Sequence, residues 1–326
     1  MKPKQTIQKD GFALLTLRND LRDEMTLSQY GAGLYDLKIE GISVTHAPKD
    51  YGEYAKSSGY HGKFVGPIAG RLEKGKIEVN GETWVLPLNE NGNSLHSASL
   101  CFAYKPFAFL PFEEKDSLGV KFFASFQGSE NYPADLDAYI LYRLSKKEHR
   151  LQIEMGAIPS LDAPINLTTH LYWNLGENSV YSMHLKLKES LTGLYDAALL
   201  PKGFAKPTPA LDFREGKAVG LDVNSPSLAP VYGYDHAFLV EEGEDQAVLT
   251  GNLFKMKIVT SAPGFQIYAD NYPLKDTIMT DGQPDHRGAA ITFEPVSRMD
   301  RPFLCPAKQT FKRTVTYAFE RREARP

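Results

Sequence analysis

Short runs that alternate apolar and polar residues recur along almost the whole of this chain, and stretches with helical periodicity are scarce. Alternation at period two marks strands that bury one face. The β-rich runs lie at residues 12–17, 24–27, 30–41, 119–127, 136–144, 150–157, 182–188, 247–249, 255–260, 266–270 and 310–319. Residues 76–86 read as a hairpin turned by Asn80-Gly81. Gly, Pro, Asn and Asp punctuate the rest, and the Pro-rich segments 201–209 and 226–230 read as long loops. No spacing fits a strand–helix–strand unit, and no repeat has solenoid length. The pattern predicts an all-β fold, a large antiparallel sandwich of two packed sheets forming one domain over residues 1–326. A broad sheet of that kind leaves a concave face open to a ligand.

Charge narrows the partners. The formal net charge is −3 over 326 residues, with a pI near 6.3, so nothing points to nucleic acid or an anionic membrane surface. Cys101 and Cys305 form no CxxC pair and no disulfide framework, and are read as reduced thiols. Residues 1–10 are polar and contain no apolar secretory core, and no run reaches membrane-spanning length. The expectation is a cytoplasmic protein, monomer or homodimer, acting on a small molecule.

Within this frame one stretch stands out: Asn166-Leu167-Thr168-Thr169-His170-Leu171-Tyr172-Trp173-Asn174-Leu175. Its β-branched and aromatic residues predict a strand. Thr168, His170 and Tyr172 would then share one face, a polar aromatic wall suited to a sugar rather than a core. Of the eight histidines, His149 lies in a charged run and reads as a solvated turn. His46, His184 and His286 have no pattern and read as surface or partly buried. His61 could line a cleft, and His236 could cap a turn. His96 differs, because it sits on a loop between small residues, where a ligand can approach closely.

Three charged residues complete the set. Arg71 is surrounded by small and apolar residues in Gly66-Pro67-Ile68-Ala69-Gly70-Arg71-Leu72. Such an arginine either pairs with a carboxylate or donates to sugar hydroxyls. Asp235, in Gly233-Tyr234-Asp235-His236, can accept from vicinal hydroxyls. Glu294 ends the apolar run Ala289-Ala290-Ile291-Thr292-Phe293, where burial would raise its pKa toward the range of a general base. The bland alternative for Glu294 is a strand-end ion pair.

Taken in order, these fragments resemble the aldose 1-epimerase (galactose mutarotase) family over nearly the whole chain. The resemblance rests on Tyr30-Gly31-Ala32-Gly33, Gly66 to Arg71, Asn93-Ser94-Leu95-His96, Asn166 to Leu175, Gly233 to His236, Pro263-Gly264-Phe265-Gln266-Ile267-Tyr268 and Glu294-Pro295. It implies a supersandwich fold, a sugar site, no cofactor and no metal. It also implies roles: Glu294 as general base, His170 as general acid, and His96 beside the ring oxygen. Arg71, Asp235, Tyr172 and Asn93 would bind substrate. Without the family match the residues alone do not say whether His96 or His170 donates the proton. The chain departs from the family pattern at Pro67, at Gly70 (usually Asn), at Ser97-Ala98 (usually Gly-Gly) and in residues 296–302.

The reaction implied is interconversion of the α and β anomers of an aldohexose such as glucose or galactose. Opening a cyclic hemiacetal removes one proton from the anomeric hydroxyl and delivers one to the ring oxygen. A carboxylate and an imidazolium suffice, since reference pKa values of about 4.3 and 6.5 leave one ionised and the other protonated near neutrality. Three rival readings share some of these residues. One is a non-catalytic carbohydrate-binding protein of the same fold. Another is a metal enzyme with His96, His170 and Glu294 as ligands, although no HxH or HExxH spacing supports it. The third is a hexose-6-phosphate 1-epimerase, with Arg298 and Arg301 either facing a phosphate or lying on the surface.

Overall fold

The structure is a computed structural model and describes residues 4–298 and 303–323. The longest alternating runs pair into an antiparallel sheet of nine strands. In sheet order these are Ala108–Glu113, Ser117–Phe126, Leu136–Ser145, Arg150–Pro159, Phe311–Arg321, Phe254–Thr260, Ala247–Thr250, His184–Leu187 and Lys217–Ala218. A second sheet has the order Tyr172–Trp173, Ile291–Val296, Gly264–Tyr268, Asp235–Val240, Glu189–Tyr195 and Pro201–Ala205. A third, near the start of the chain, runs Lys4–Ile7, Ala13–Arg18, Glu24–Ser28, Gly33–Ile39 and Ile42–Ser43. The predicted hairpin is present as Lys76–Val79 paired with Glu82–Val85. Asn80 and Gly81 both take positive φ there, as the mirror-image turn of a tight hairpin requires. The α-helix described, Tyr51–Lys56, has six residues and is capped by the Asp50 side chain, which accepts from the Glu53 backbone N–H. No helix of the described residues is long and apolar enough to cross a membrane.

The core lies between the first two sheets, and its position follows from alternation. Phe311–Arg321 turns Val315, Tyr317 and Phe319 inward. From the six-stranded sheet come Trp173, Phe265, Ile267, Ile291 and Phe293. Trp173 packs on Tyr317 and Phe319 with ring centroids 4.5 and 5.7 Å apart. Because these residues point down, their neighbours point up: Tyr172, Glu294, Gln266 and Tyr268 face the opposite side, where a cleft opens. A row in register crosses that face from Tyr172 through Thr292 and Tyr268 to Asp235.

Several expectations need correction. Residues 166–175 are not one strand. Thr168–Thr169 pairs with Phe64–Val65, whereas Tyr172–Trp173 pairs with Ile291–Val296. The chain changes partner at His170, whose backbone stays bonded to Lys63 and Gly62. Thr168 is buried away from the cleft as a result. The segment 201–209 is not all loop, since Pro201–Ala205 forms an edge strand. The strand carrying Glu294 does not end at the acid but continues through Val296. His149 is no solvated turn; its Nδ1 lies 2.9 Å from Asp23 and its Nε2 3.2 Å from Glu40. Cys101 and Cys305 are both free and buried.

Candidate active site

A cleft of about 1010 Å³, counting its open mouth, sits on the upper face of the six-stranded sheet. Its walls include Arg71, His96, His170, Tyr172, Asp235 and Glu294. Six of the seven residues singled out from the sequence therefore converge on one space. The seventh, Asn93, does not line it. Its side chain accepts from the Lys74 backbone N–H at 3.0 Å and braces a turn behind the wall.

His170 and Glu294 form the floor. His170 Nε2 lies 3.4 Å from Glu294 Oε1, and both side chains are almost completely buried. Burial disfavours charge on each. It lowers His170 to about 4, although Asp235 pulls the other way. It raises Glu294 well above the ordinary carboxylate range, aided by Asp235 and opposed by Thr292 and Arg71. The two shifts favour holding a single proton of the pair on the carboxyl, with the imidazole neutral. The sequence-based assignment puts that same single proton on the histidine, so the site revises its resting position and keeps the count.

His96 is fixed by backbone. Its Nδ1 accepts the Gly70 N–H at 3.2 Å, so in the neutral ring Nε2 carries the hydrogen. Burial, His170 and Arg71 hold its pKa well below the usual value. His96 is thus a neutral donor, with Tyr60 edge-on at 4.8 Å and His170 at 5.5 Å between ring centroids. Local geometry explains two sequence departures. Gly70 has φ of 90°, a left-handed conformation that glycine and, next best, asparagine tolerate. His96, Ser97 and Ala98 are all left-handed, with φ of 52°, 63° and 49°, at a cost of roughly 1–2 kcal/mol each. The Ser97 hydroxyl offsets part of this by accepting from Ile68 N–H at 2.9 Å and donating to Ile68 C=O at 3.0 Å.

Arg71 and Asp235 face each other at 3.3 Å. Glu90, which the sequence reading did not single out, grips the other side of the guanidinium through Nε at 2.6 Å and Nη2 at 3.1 Å. Gln266 donates to Asp235 at 2.6 Å and accepts from Tyr195. Arg71 has five N–H groups and spends three here, leaving two for a ligand. Gln266 and Tyr268 could have been found from the sequence, because they alternate with the core residues Phe265 and Ile267. Glu90 lies in a turn and carried no such signal. His61 is buried beneath the site, stacked on Tyr172 with centroids 4.0 Å apart, and does not line the cleft.

The donor atoms of His96, His170 and Glu294 lie within 4.8 Å of one another, close enough to share a metal ion. His96 opposes that use. A histidine that ligates through Nε2 carries its proton on Nδ1 and donates it to an acceptor. Here Nδ1 faces the Gly70 N–H, and two hydrogens would meet. A second group, His46, Asp270 and Asp285, also lies within 4.8 Å. It sits away from the cleft walls and forms an ion-paired cluster. His46 Nε2 is 3.0 Å from Asp285, and its Nδ1 is 3.5 Å from Asp281.

Comparisons with known proteins place the whole chain. A family model described as aldose 1-epimerase matches residues 13–297. The chain is 30% identical to the galactose mutarotase of Rattus norvegicus over 230 residues, covering 67% of this chain and 65% of that protein. It therefore spans just under two thirds of that relative's length, as it does for the mouse galactose mutarotase. It is 27% identical to the aldose 1-epimerase of Escherichia coli K12 over 304 residues, covering 87% and 86% of the two chains. Among solved structures, a galactose 1-epimerase from Lactobacillus acidophilus NCFM superposes with a TM-score of 0.90 at 26% identity, over 98% of each chain. An aldose epimerase homologue from C. elegans shares the fold, with a TM-score of 0.85 at 19% identity over 96% and 100% of the two chains.

Proposed function

The chain belongs to the aldose 1-epimerase family, and from that premise we propose that it interconverts the α and β anomers of a free aldohexose such as glucose or galactose. The observation that carries this reading is the His170–Glu294 pair, 3.4 Å apart at the floor of an open cleft. With the proton on His170, Glu294 takes the anomeric hydroxyl proton while His170 gives its own to the ring oxygen. The C1–O5 bond breaks, and the aldehyde is left beside protonated Glu294 and neutral His170. Rotation about C1–C2 and closure on the other face run the transfers backward. The cycle thus visits both placements of the one proton. The placement favoured by burial is the one that follows ring opening. The neutral His96, with hydrogen on Nε2, suits the ring oxygen as a donor. Arg71, Asp235 and Tyr172 suit the remaining hydroxyls and the ring face.

The charge of the walls favours a neutral sugar over a hexose 6-phosphate. Arg71 is the sole lysine or arginine among the described lining residues, and Glu90 and Asp235 already flank it. Arg298 lies over the Phe204 ring at 5.0 Å, and Arg301 falls outside the described residues. A binding module without catalysis would have no need of an acid and a base so close together. A cytoplasmic location is part of the proposal.

Polarimetry tests it. Fresh α-D-glucose or α-D-galactose should relax to its equilibrium rotation far faster with the protein than in buffer, with or without chelator. Relaxation at the buffer rate would reject the free-sugar reading. Loss of activity on chelation would favour a metal, and acceleration confined to 6-phosphates would move the substrate.

The pH profile offers a second check. Below about 4 a second proton joins the pair, no base remains and the rate falls. Above the raised pKa of Glu294 the single proton leaves the pair and no acid remains. The profile of kcat/KM should be a wide bell with its acid limb centred near 4. An acid limb near the ordinary imidazole value of 6.5 would show that burial does not act on His170 as described.

A further inference from the structure

Arg313 breaks the pattern of its own strand. In Phe311–Arg321 the inward-facing row runs Arg313, Val315, Tyr317 and Phe319, so a guanidinium occupies a core position and is 3% exposed. Burying a charge is costly unless it is paired, yet no carboxylate of the described residues pairs with it. Its partners are backbone and neutral side chains instead. Nη1 donates to the carbonyls of Leu167 and Pro295, the latter at 2.8 Å, and to Asn166 Oδ1 at 3.1 Å. Nη2 donates to Ser297 Oγ at 2.7 Å.

These acceptors are not scattered. Pro295 follows Glu294 directly. Leu167 precedes His170 by three residues of extended chain. Asn166 extends the reach: its Oδ1 accepts from Ser297 N–H at 2.9 Å, and its Nδ2 donates to Ala69 C=O at 3.0 Å. Ala69 is bonded back to the Asn166 backbone at 2.7 Å and precedes Gly70, whose N–H fixes the His96 ring. The three segments come from distant parts of the sequence and meet at one guanidinium and one carboxamide.

We infer that Arg313, acting with Asn166, is a positioning residue that sets the spacing of Glu294, His170 and His96 by tying together the backbones that carry them. The inference rests on the acid–base reading above. It gives the buried charge a purpose, because a neutral side chain of that size cannot donate to four acceptors on two segments at once. Proton transfer is steep in distance, and a misplacement of about 1 Å can cost roughly 10²-fold in rate.

The test is steady-state mutarotation by the full chain and by the variants Arg313→Lys and Ser297→Ala. Arg313→Lys keeps the charge but loses the fork. Its kcat should fall roughly 10²-fold with KM within about threefold. The acid limb of its pH profile should move up from about 4 toward 6.5 as the pair loosens and water enters. Ser297→Ala removes one bond and should shift both readouts the same way by less, with kcat down about threefold. If Arg313→Lys does not fold, Ser297→Ala decides alone. Wild-type kcat and an unmoved acid limb, with only folding stability reduced, would overturn the inference. So would a rise in KM at unchanged kcat. An inactive wild-type protein would instead defeat the acid–base reading, before any variant is compared.

Discussion

Glu294→Gln should lower kcat for anomer interconversion by roughly 10²–10⁴-fold, the usual contribution of one positioned proton-transfer group, while the KM for glucose changes little. The amide has almost the volume of the carboxyl and can keep the contact with Thr292 Oγ1, now 3.5 Å from Glu294 Oε1. It cannot hold a proton in one half of the cycle and release it in the other. His170 would then have nothing to exchange with across the sugar. The remaining walls, Arg71 with Asp235 and the neutral His96, would still hold the ring, so binding persists when read by equilibrium titration. The alkaline limb of the pH profile should change in the same variant, because it belongs to Glu294 in the wild type. Near wild-type turnover by Glu294→Gln would remove this residue from the chemistry. A large rise in KM at unchanged kcat would make it a binding group instead.

The convergence at the site was legible in the sequence to the extent that each residue advertised itself locally. Glu294 closed an apolar run and His170 interrupted an aromatic one; period-two alternation carries Glu294 to the upper face of a sheet whose lower face is core, while His170 enters from the break between two short strands. His96 was visible as a loop histidine among small residues, and the left-handed backbone at His96, Ser97 and Ala98 gives the reason the loop is so tight. What stayed hidden depends on long-range pairing. Nothing local says that the strand holding His170 changes partner at that residue, or that Glu90 reaches across a turn to Arg71. Arg313 looked like one more charge in an alternating tail, although its phase matches Val315 and Tyr317. That phase was the available signal, and its meaning depends on which carbonyls lie opposite. Asn93 shows the reverse error: a polar side chain in a promising loop accepts from the Lys74 backbone and braces a neighbouring turn.

His46 supplies the second large effect, this time on stability. It is 1% exposed and sits between Asp285 and Asp281, joining the segment after Ile42–Ser43 to the connection 271–290 that carries Tyr272 of the cleft wall. Burial alone would lower its pKa; the two carboxylates outweigh burial and hold it at about 9, against an ordinary 6.5. A group whose folded pKa is raised contributes stability that is complete below the unfolded value and is lost as pH climbs through the folded one. The shift from 6.5 to about 9 corresponds to ~3 kcal/mol at most. Asp270 acts in the same direction: burial and Asp285 push it well above the carboxylate range, so the fold holds a proton there that an unfolded chain releases. The unfolding free energies of the wild type and of His46→Gln, read by urea denaturation, should therefore differ less at about pH 10 than at about pH 6, by ~3 kcal/mol. His61, lowered to about 3 by burial, and Lys63, lowered to about 7, contribute in the opposite sense over that window, so the comparison with the variant isolates His46. His46→Gln should lose about 3–5 kcal/mol near neutrality, the cost of leaving buried carboxylates unpaired. It should also remove the His46 part of the pH slope, because the titrating ring is gone. If the variant keeps the wild-type slope between those two pH values, the imidazolium is not what ties the connection down.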